Sequence, residues 1–467
     1  MSTIVYTITL ITARQSYATQ HIDIMAVYKD REAFIPYRRS DLIELCVEDG
    51  QLDPTEIVKF RDFCEILSSY YHFQLHQTLE VLKDNFVPFN PDTDTKLRVE
   101  STLAQKPEME SKLISAFKTI LERANYVILS EEMLQQALNE NSLIELKTKI
   151  DFEDFEQIIC YYRGDTQKTA SVKQLLKNVE KTVDTFERVV LLLKFKDAEY
   201  FAAKKTRPEK LNFTPGKMYI YFYKDIPKFD LEFLFPNIKV SMTWKDLILL
   251  GVPAIGAGTS VMVKVLPQVL LIIGVISFVF FGQTNFVNFN ISEENVENIM
   301  PILVATLSMV VALGGVIFRQ YNNYNYKKVK FQKNVTDTLF FRNLANNASV
   351  FGALIDAAEE EECKEIILAY YHLITSKTPL TPELLDDRIE AWMESKFGTK
   401  IDFDIKGPLG NLEGIRGKII KDDGDEANTL ELPMLAYDAQ GYCIVPSLDD
   451  AKTIIDYLWD NAFLYAK

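Results

Sequence analysis

The chain has 467 residues, enough for two or three domains, and its 48% hydrophobic and 12% aromatic content can fill a large core. Its formal net charge is −15, from 66 Asp plus Glu against 51 Lys plus Arg. That balance repels polyphosphate, so nucleic acid is not expected as a partner. The five cysteines (Cys46, Cys64, Cys160, Cys363 and Cys443) are scattered with no C-x-x-C spacing, which argues against a disulfide framework and for a reducing compartment.

Residues 1–26 read as a tail. They are acid-poor and hydroxyl-rich, but one arginine is too few for a mitochondrial presequence. Residues 27–245 read as an amino-terminal α+β domain. Asp53-Pro54 is an N-cap followed by proline at the first helical position, and Ile57, Phe60, Phe63, Ile66, Leu67 and Tyr70 form the apolar stripe of a long helix. NFVPFNPDTD ends it. Helical periodicity recurs over 109–124 and 130–138. FEQIICYY (155–162), RVVLLLKF (188–195) and KMYIYFYKD (217–225), rich in β-branched and aromatic residues, predict strands.

Residues 246–320 predict a membrane segment. Two apolar runs, about 259–281 and 300–318, are each long enough to span a bilayer, and the loop between them carries Glu293, Glu294 and Glu297 but no Lys or Arg. Trp244 and Lys245 on one side, and Arg319, Lys327 and Lys328 on the other, have the character of membrane-interface residues. Lys264 sits near the start of the first run and is expected to snorkel to the surface. The lysine-rich flanks place both termini in the cytoplasm of a bacterial inner membrane, or in the matrix if the membrane is the mitochondrial inner one. The bilayer is then a partner.

Residues 321–467 predict a mainly helical carboxy-terminal domain. Val335 to Ser376 reads as one helix, and Thr381-Pro382 caps a second that Gly398 closes. A short element follows over 403–412. RGKII and GYCIV are candidate strands joined by the acidic excursion 422–440, and Ser447 caps a last helix through Tyr465. Helix, helix, short helix and two-stranded wing is the order of a winged-helix module, although Gly407-Pro408 interrupts the third helix. The acids of the wing argue against DNA, and an isolated 351–467 fragment is expected to fold without binding it. The expected fold class is therefore mainly α with minor β. Two soluble regions are joined by a two-helix transmembrane hairpin, and the carboxy-terminal one is winged-helix-like.

Five stretches occur in a characteristic order: REAFIPYRRSDL (31–42), YYRG (161–164), YKDIPKFDLEFLFP (223–236), the apolar hairpin, and AAEEEECKEIILAYYHL (357–373). Together they resemble the uncharacterised two-pass membrane family that includes transmembrane protein 143. The resemblance implies a two-pass membrane protein and no activity.

The chemistry-bearing constellations are sparse. His72 and His76, four apart, share a helix face and are weak metal candidates; HFQLH has no acid between them and no third ligand in sight. Glu365 and His372 share a face of the later helix, but no second Glu-x-x-His helix completes a bundle site. Glu359, Glu360, Glu361, Glu362 and Glu365 read as acids at a helix start or as a solvated face. No phosphate-binding loop, dinucleotide fingerprint or nucleophile elbow occurs, and no cofactor and no catalytic residue is expected. The leading expectation is a membrane-anchored scaffold that binds an unidentified protein. The alternative is an oligomeric transporter or channel, whose homo-oligomer would use Gly256, Gly258, Gly274, Gly314 and Gly315 for close helix contact.

Overall fold

A computed structural model describes residues 32–92, 98–130, 134, 147–174, 177–205, 211–241, 293–398, 400–420 and 429–462. In chain order the helices are α1 (Arg39–Glu48), α2 (Pro54–Phe86), α3 (Lys106–Arg123), α4 (Ala198–Ala203), α5 (Glu293–Arg342), α6 (Ala348–Ile374), α7 (Pro382–Phe397), α8 (Lys406–Gly414) and α9 (Leu448–Asn461). The strands are β1 (Val127–Ile128), β2 (Lys147–Lys149), β3 (Phe155–Gln174), β4 (Lys177–Phe195), β5 (Met218–Pro227), β6 (Lys239–Ser241), β7 (Asn343–Asn346), β8 (Arg416–Ile420), β9 (Thr429–Pro433), β10 (Ala436–Tyr437) and β11 (Cys443–Ile444).

One compact unit draws on the described parts of 1–134, 154–228 and 343–467. Its α2 begins where the sequence predicts. The Asp53 carboxylate accepts from Thr55 N and Glu56 N at 2.8 and 2.9 Å, and the Glu56 side chain accepts from Asp53 N at 3.0 Å, closing a capping box. Phe60, Phe63, Cys64, Leu67, Tyr71, Leu75, Leu82 and Phe86 then line a single buried stripe. The sheet is antiparallel in the order β1-β3-β4-β5-β7. At its centre Val189 to Leu193 are almost wholly buried, so both faces are covered there and the strand reads as a continuous apolar run.

Helix α6 is the axis of this unit. Its first half joins α2, α3 and the sheet in one apolar cluster, through Val350, Phe351, Leu354 and Ala358. Its second half joins α1, the start of α2, α7, α8 and α9 in another, through Ile366, Ile367, Tyr370 and Tyr371. Gly417 in β8 lets the α9 backbone come close: a Cβ there would stand 2.6 Å from the carbonyl oxygen of Ile454.

The second unit draws on the described parts of 135–153 and 229–342. It contains the β2–β6 pair and α5. Asn237 Nδ2 donates to the Asp151 carbonyl at 2.8 Å, and Arg342 lies 3.6 Å from Asp230, whose carboxyl burial pushes up to about 6.

Several expectations are corrected. Among the described residues no helix is long and apolar enough to cross a membrane. The run 300–318 is not a separate span. It is the early part of the 50-residue helix α5, which continues through Asn322, Asn323, Lys327 and Lys328 to Arg342. Ser308, Gly314, Gly315 and Arg319 are exposed on it beside the apolar Val304, Leu307, Val311 and Phe318. The two-pass hairpin and the multi-pass localisation with cytoplasmic termini are corrected on this finding. Arg319, Lys327 and Lys328 lie along α5 itself. The first run (259–281), Trp244, Lys245, Lys264 and the tail lie outside the described residues.

The strand content is also larger than expected: β3 and β4 form a hairpin of 20 and 19 residues. The regions before and after the apolar runs are not two bodies joined by a hairpin, because α1, α2, α6, α7 and α9 share a core. Finally, 335–376 is not one helix. Asn343–Asn346 form β7 beside β5, and Asn347, at φ +50°, accepts from Ile220 N through Oδ1 at 3.1 Å and donates its own N–H to Ile220 O at 2.7 Å. Asparagine tolerates that left-handed backbone, so the chain turns there before α6 begins. RGKII does not pair with GYCIV either; β8 pairs with β9 and β10 with β11.

Candidate functional site

Three of the five characteristic stretches meet inside the first unit. Because α6 begins at Ala348, its acids fall in mid-helix, facing the segment 32–39 and the end of α3. Glu361, Glu362 and Glu365 are buried, which corrects the solvated-face expectation. Glu361 pairs with Lys364 at 2.5 Å and accepts from Ile35 N at 3.1 Å. Lys364 Nζ donates to the carbonyls of Ile35 and Tyr37 at 2.7 and 3.1 Å, so its three protons are all used. Glu362 takes both arms of the Arg123 guanidinium, Nη2 at 2.5 Å. Asn125 donates to Glu365 at 2.8 Å. Arg39 N donates to Glu360 at 2.6 Å.

Strand β3 itself, just past Tyr162, completes the clamp. Gly164 N and Asp165 N donate to the Glu32 carboxylate at 2.9 and 2.5 Å, and Gly164 adopts φ +76° there, which favours glycine. The Arg163 guanidinium lies over the Phe34 ring at 3.9 Å. Burial raises Glu361, against the lowering pull of Lys364. Burial holds Glu365 well above the usual carboxylate range, with Glu361, Asp404 and Glu362 adding to the effect and Asn125 opposing it. Glu361 and Glu362 each have a cation, and Glu365 has the Asn125 amide. The network clamps the 32–39 segment onto α6.

The surface above this clamp is different. Ser68, Ser69, His72, Phe73 and His76 of α2 line a groove of about 590 Å³ with Arg39 of α1, Glu359 of α6 and Trp459 of α9. A second hollow of about 380 Å³ shares Arg39, Ser68 and Ser69 and continues past Ser40, Ile43 and Arg61. His72 Nδ1 lies 2.8 Å from one oxygen of Glu359, and Arg39 Nη1 lies 3.4 Å from the other. The Ser68 and Ser69 hydroxyls donate to the carbonyls one turn back, at 2.7 and 3.0 Å, so their oxygens keep lone pairs for a ligand. Phe73 and Trp459 meet edge to face at 5.7 Å, with Trp459 44% exposed. Such a surface offers imidazole donors and hydroxyl acceptors along α2, with an aromatic anchor from α9 and a cationic donor from α1.

Of the residues singled out in the sequence, His72 and His76 share the α2 face and both line this groove. Among the described residues no three His, Cys, Asp or Glu side chains are grouped to hold a metal ion. Glu365 and His372 are not brought to the groove. Glu365 faces Asn125, while buried His372 accepts from Arg388 Nε at 3.3 Å and lies 5.4 Å from the Trp392 ring. Burial, with Arg388 alongside, lowers His372 to about 3. Arg39 falls within the 31–42 stretch, but Trp459 and the serine pair carry no sequence signal of their own. Only the approach of α9 to α2 groups them.

Residues 186–349, about a third of the chain, match a family described as a protein of unknown function (DUF3754). The matched stretch runs from β4 through α5 to the first turn of α6. No solved structure matches the chain.

Proposed function

We propose that the chain is a protein-binding module whose first unit docks a segment of a partner protein in the groove between α2 and α9. The observation that carries this reading is Trp459, half-open at the groove mouth beside Phe73 and His72. Tryptophan and arginine dominate the energetics of protein interfaces, where a large ring is desolvated and a fork of donors finds a carboxylate or carbonyl. Arg39 and the imidazoles of His72 and His76 suit a partner segment carrying an acidic residue next to an apolar one. The scaffold beneath is fixed by the clamp on α6, so the groove is largely preformed.

The test uses a photo-crosslinking residue in the intact protein, placed in turn at Phe73, at Trp459, and at exposed Val58 on the same helix as Phe73. The reading expects one defined partner crosslinked from the first two positions and absent from the third. Equal labelling at all three, or turnover of a small molecule by the purified chain with no crosslinked partner, refutes it.

A further inference from the structure

Helix α5 has 50 residues and so runs about 75 Å at 1.5 Å per residue. Val304, Leu307, Val311, Phe318 and Tyr321 are 51–67% exposed. Gly314 lies in the same row, with open space where a Cβ would stand. The row steps by three and four residues in alternation (304, 307, 311, 314, 318, 321), an average of 3.5, which is the seam of a coiled coil. One heptad before Val304 the same row reaches Glu297. One heptad after Tyr321 it reaches Lys328.

The helix is also polarised along its length. Glu293, Glu294 and Glu297 open it with no Lys or Arg among them, and Arg319, Lys327, Lys328, Lys330 and Lys333 crowd its later half. Two such helices laid parallel would set acid on acid and lysine on lysine. Laid antiparallel they are complementary, end against end.

We propose that α5 pairs with α5 of a second copy of this chain, antiparallel, about a two-fold axis near Ala312. One register satisfies the whole row. It sets Val311 against Gly314 of the second copy, Leu307 against Phe318, Val304 against Tyr321, and Glu297 against Lys328. Val311 at the centre then meets a glycine, and on either side an aliphatic group faces a ring, as a close seam allows. The pairing is isologous: each contact occurs twice, so a single charge change is felt at two places. The inference is independent of the groove reading, since it concerns the second unit alone.

The experiment is sedimentation equilibrium on the full-length chain over a range of concentrations, with four proteins: the natural sequence, Glu297→Lys, Lys328→Glu, and the double exchange. The natural chain is expected to be a dimer in reversible equilibrium. Each single exchange should weaken the dimer about tenfold, because two pairs become repulsive, and the double exchange should return to within about threefold. Only an antiparallel register gives that recovery; in a parallel pair both exchanges leave like charges opposed. Circular dichroism at matched concentration checks that each variant folds. A natural chain that stays monomeric at tens of micromolar, or a dimer indifferent to the exchanges, overturns the proposal.

Discussion

Lys364 and Glu361 lie one turn apart on α6, neither more than 2% exposed, with Nζ 2.5 Å from Oε1. The pair does not close on itself: the lysine also holds two carbonyls of the 32–39 segment, and the carboxylate also holds Ile35 N. The consequence is measurable. Lys364→Met leaves a buried carboxylate without its cation and should cost about 3–5 kcal/mol of stability. Adding Glu361→Gln should recover much of that loss, because the uncompensated charge is gone. Urea unfolding of the two variants and the natural chain checks both steps; additive losses would mean the two groups act separately.

Asp386 on α7 should control part of the pH dependence. Burial raises its carboxyl to about 7, with Glu390, Asp387, Asp402 and Asp404 pushing the same way. In the unfolded chain the group ionises near its ordinary 3.8. The folded state therefore binds the extra proton between about 4 and 7, and stability falls as pH rises through that window, then levels above it. Asp386→Asn should add about 1–2 kcal/mol at pH 8 after allowance for partial exposure, and nothing below pH 4. Unfolding midpoints at pH 4, 6 and 8 test this; a gain independent of pH would assign the effect to packing.

The expectation that residues 351–467 form a separable module does not survive the structure. Tyr370 stacks on Phe63 at 4.4 Å, and Tyr371 meets Phe60 at 5.7 Å. Removing α1 to α3 exposes both rings to water and takes away the partners of Glu361, Glu362 and Lys364. The isolated fragment should lack a cooperative thermal transition. A sharp calorimetric peak for 351–467 alone would contradict the shared core.

How much of this was legible in the sequence depends on the range of the forces involved. Local signals were read correctly at Asp53-Pro54, at Thr381-Pro382 with Gly398 in the left-handed conformation, and at Ser447, because a cap is settled within four residues. The strands at 155–162, 188–195 and 217–225 were visible for the same reason. The polar half of the β3–β4 hairpin was not, because it has little hydrophobic alternation and is held by its register, such as Gln167 opposite Asp184. The acid run of α6 looked solvated because its partners, Ile35 and Tyr37, lie more than 320 residues away. Nothing near Glu361 announces them. The apolar run 300–318 was misread as an element in itself because nothing at Phe318 stops the helix, which continues through Asn322, Asn323, Lys327 and Lys328 to Arg342. At the candidate groove the two histidines were visible as an i, i+4 pair, but Trp459 enters only through the docking of α9.

The binding reading is tested most directly at Trp459. The measurement is the affinity of the full-length chain for the segment crosslinked from Phe73, with the natural protein compared with Trp459→Ala. The expected result is a loss of at least about tenfold, with an unchanged melting temperature, since the ring is half exposed and its anchoring role is at the interface. An affinity that survives the loss of Trp459 would show that the groove between α2 and α9 is not where this protein holds its partner.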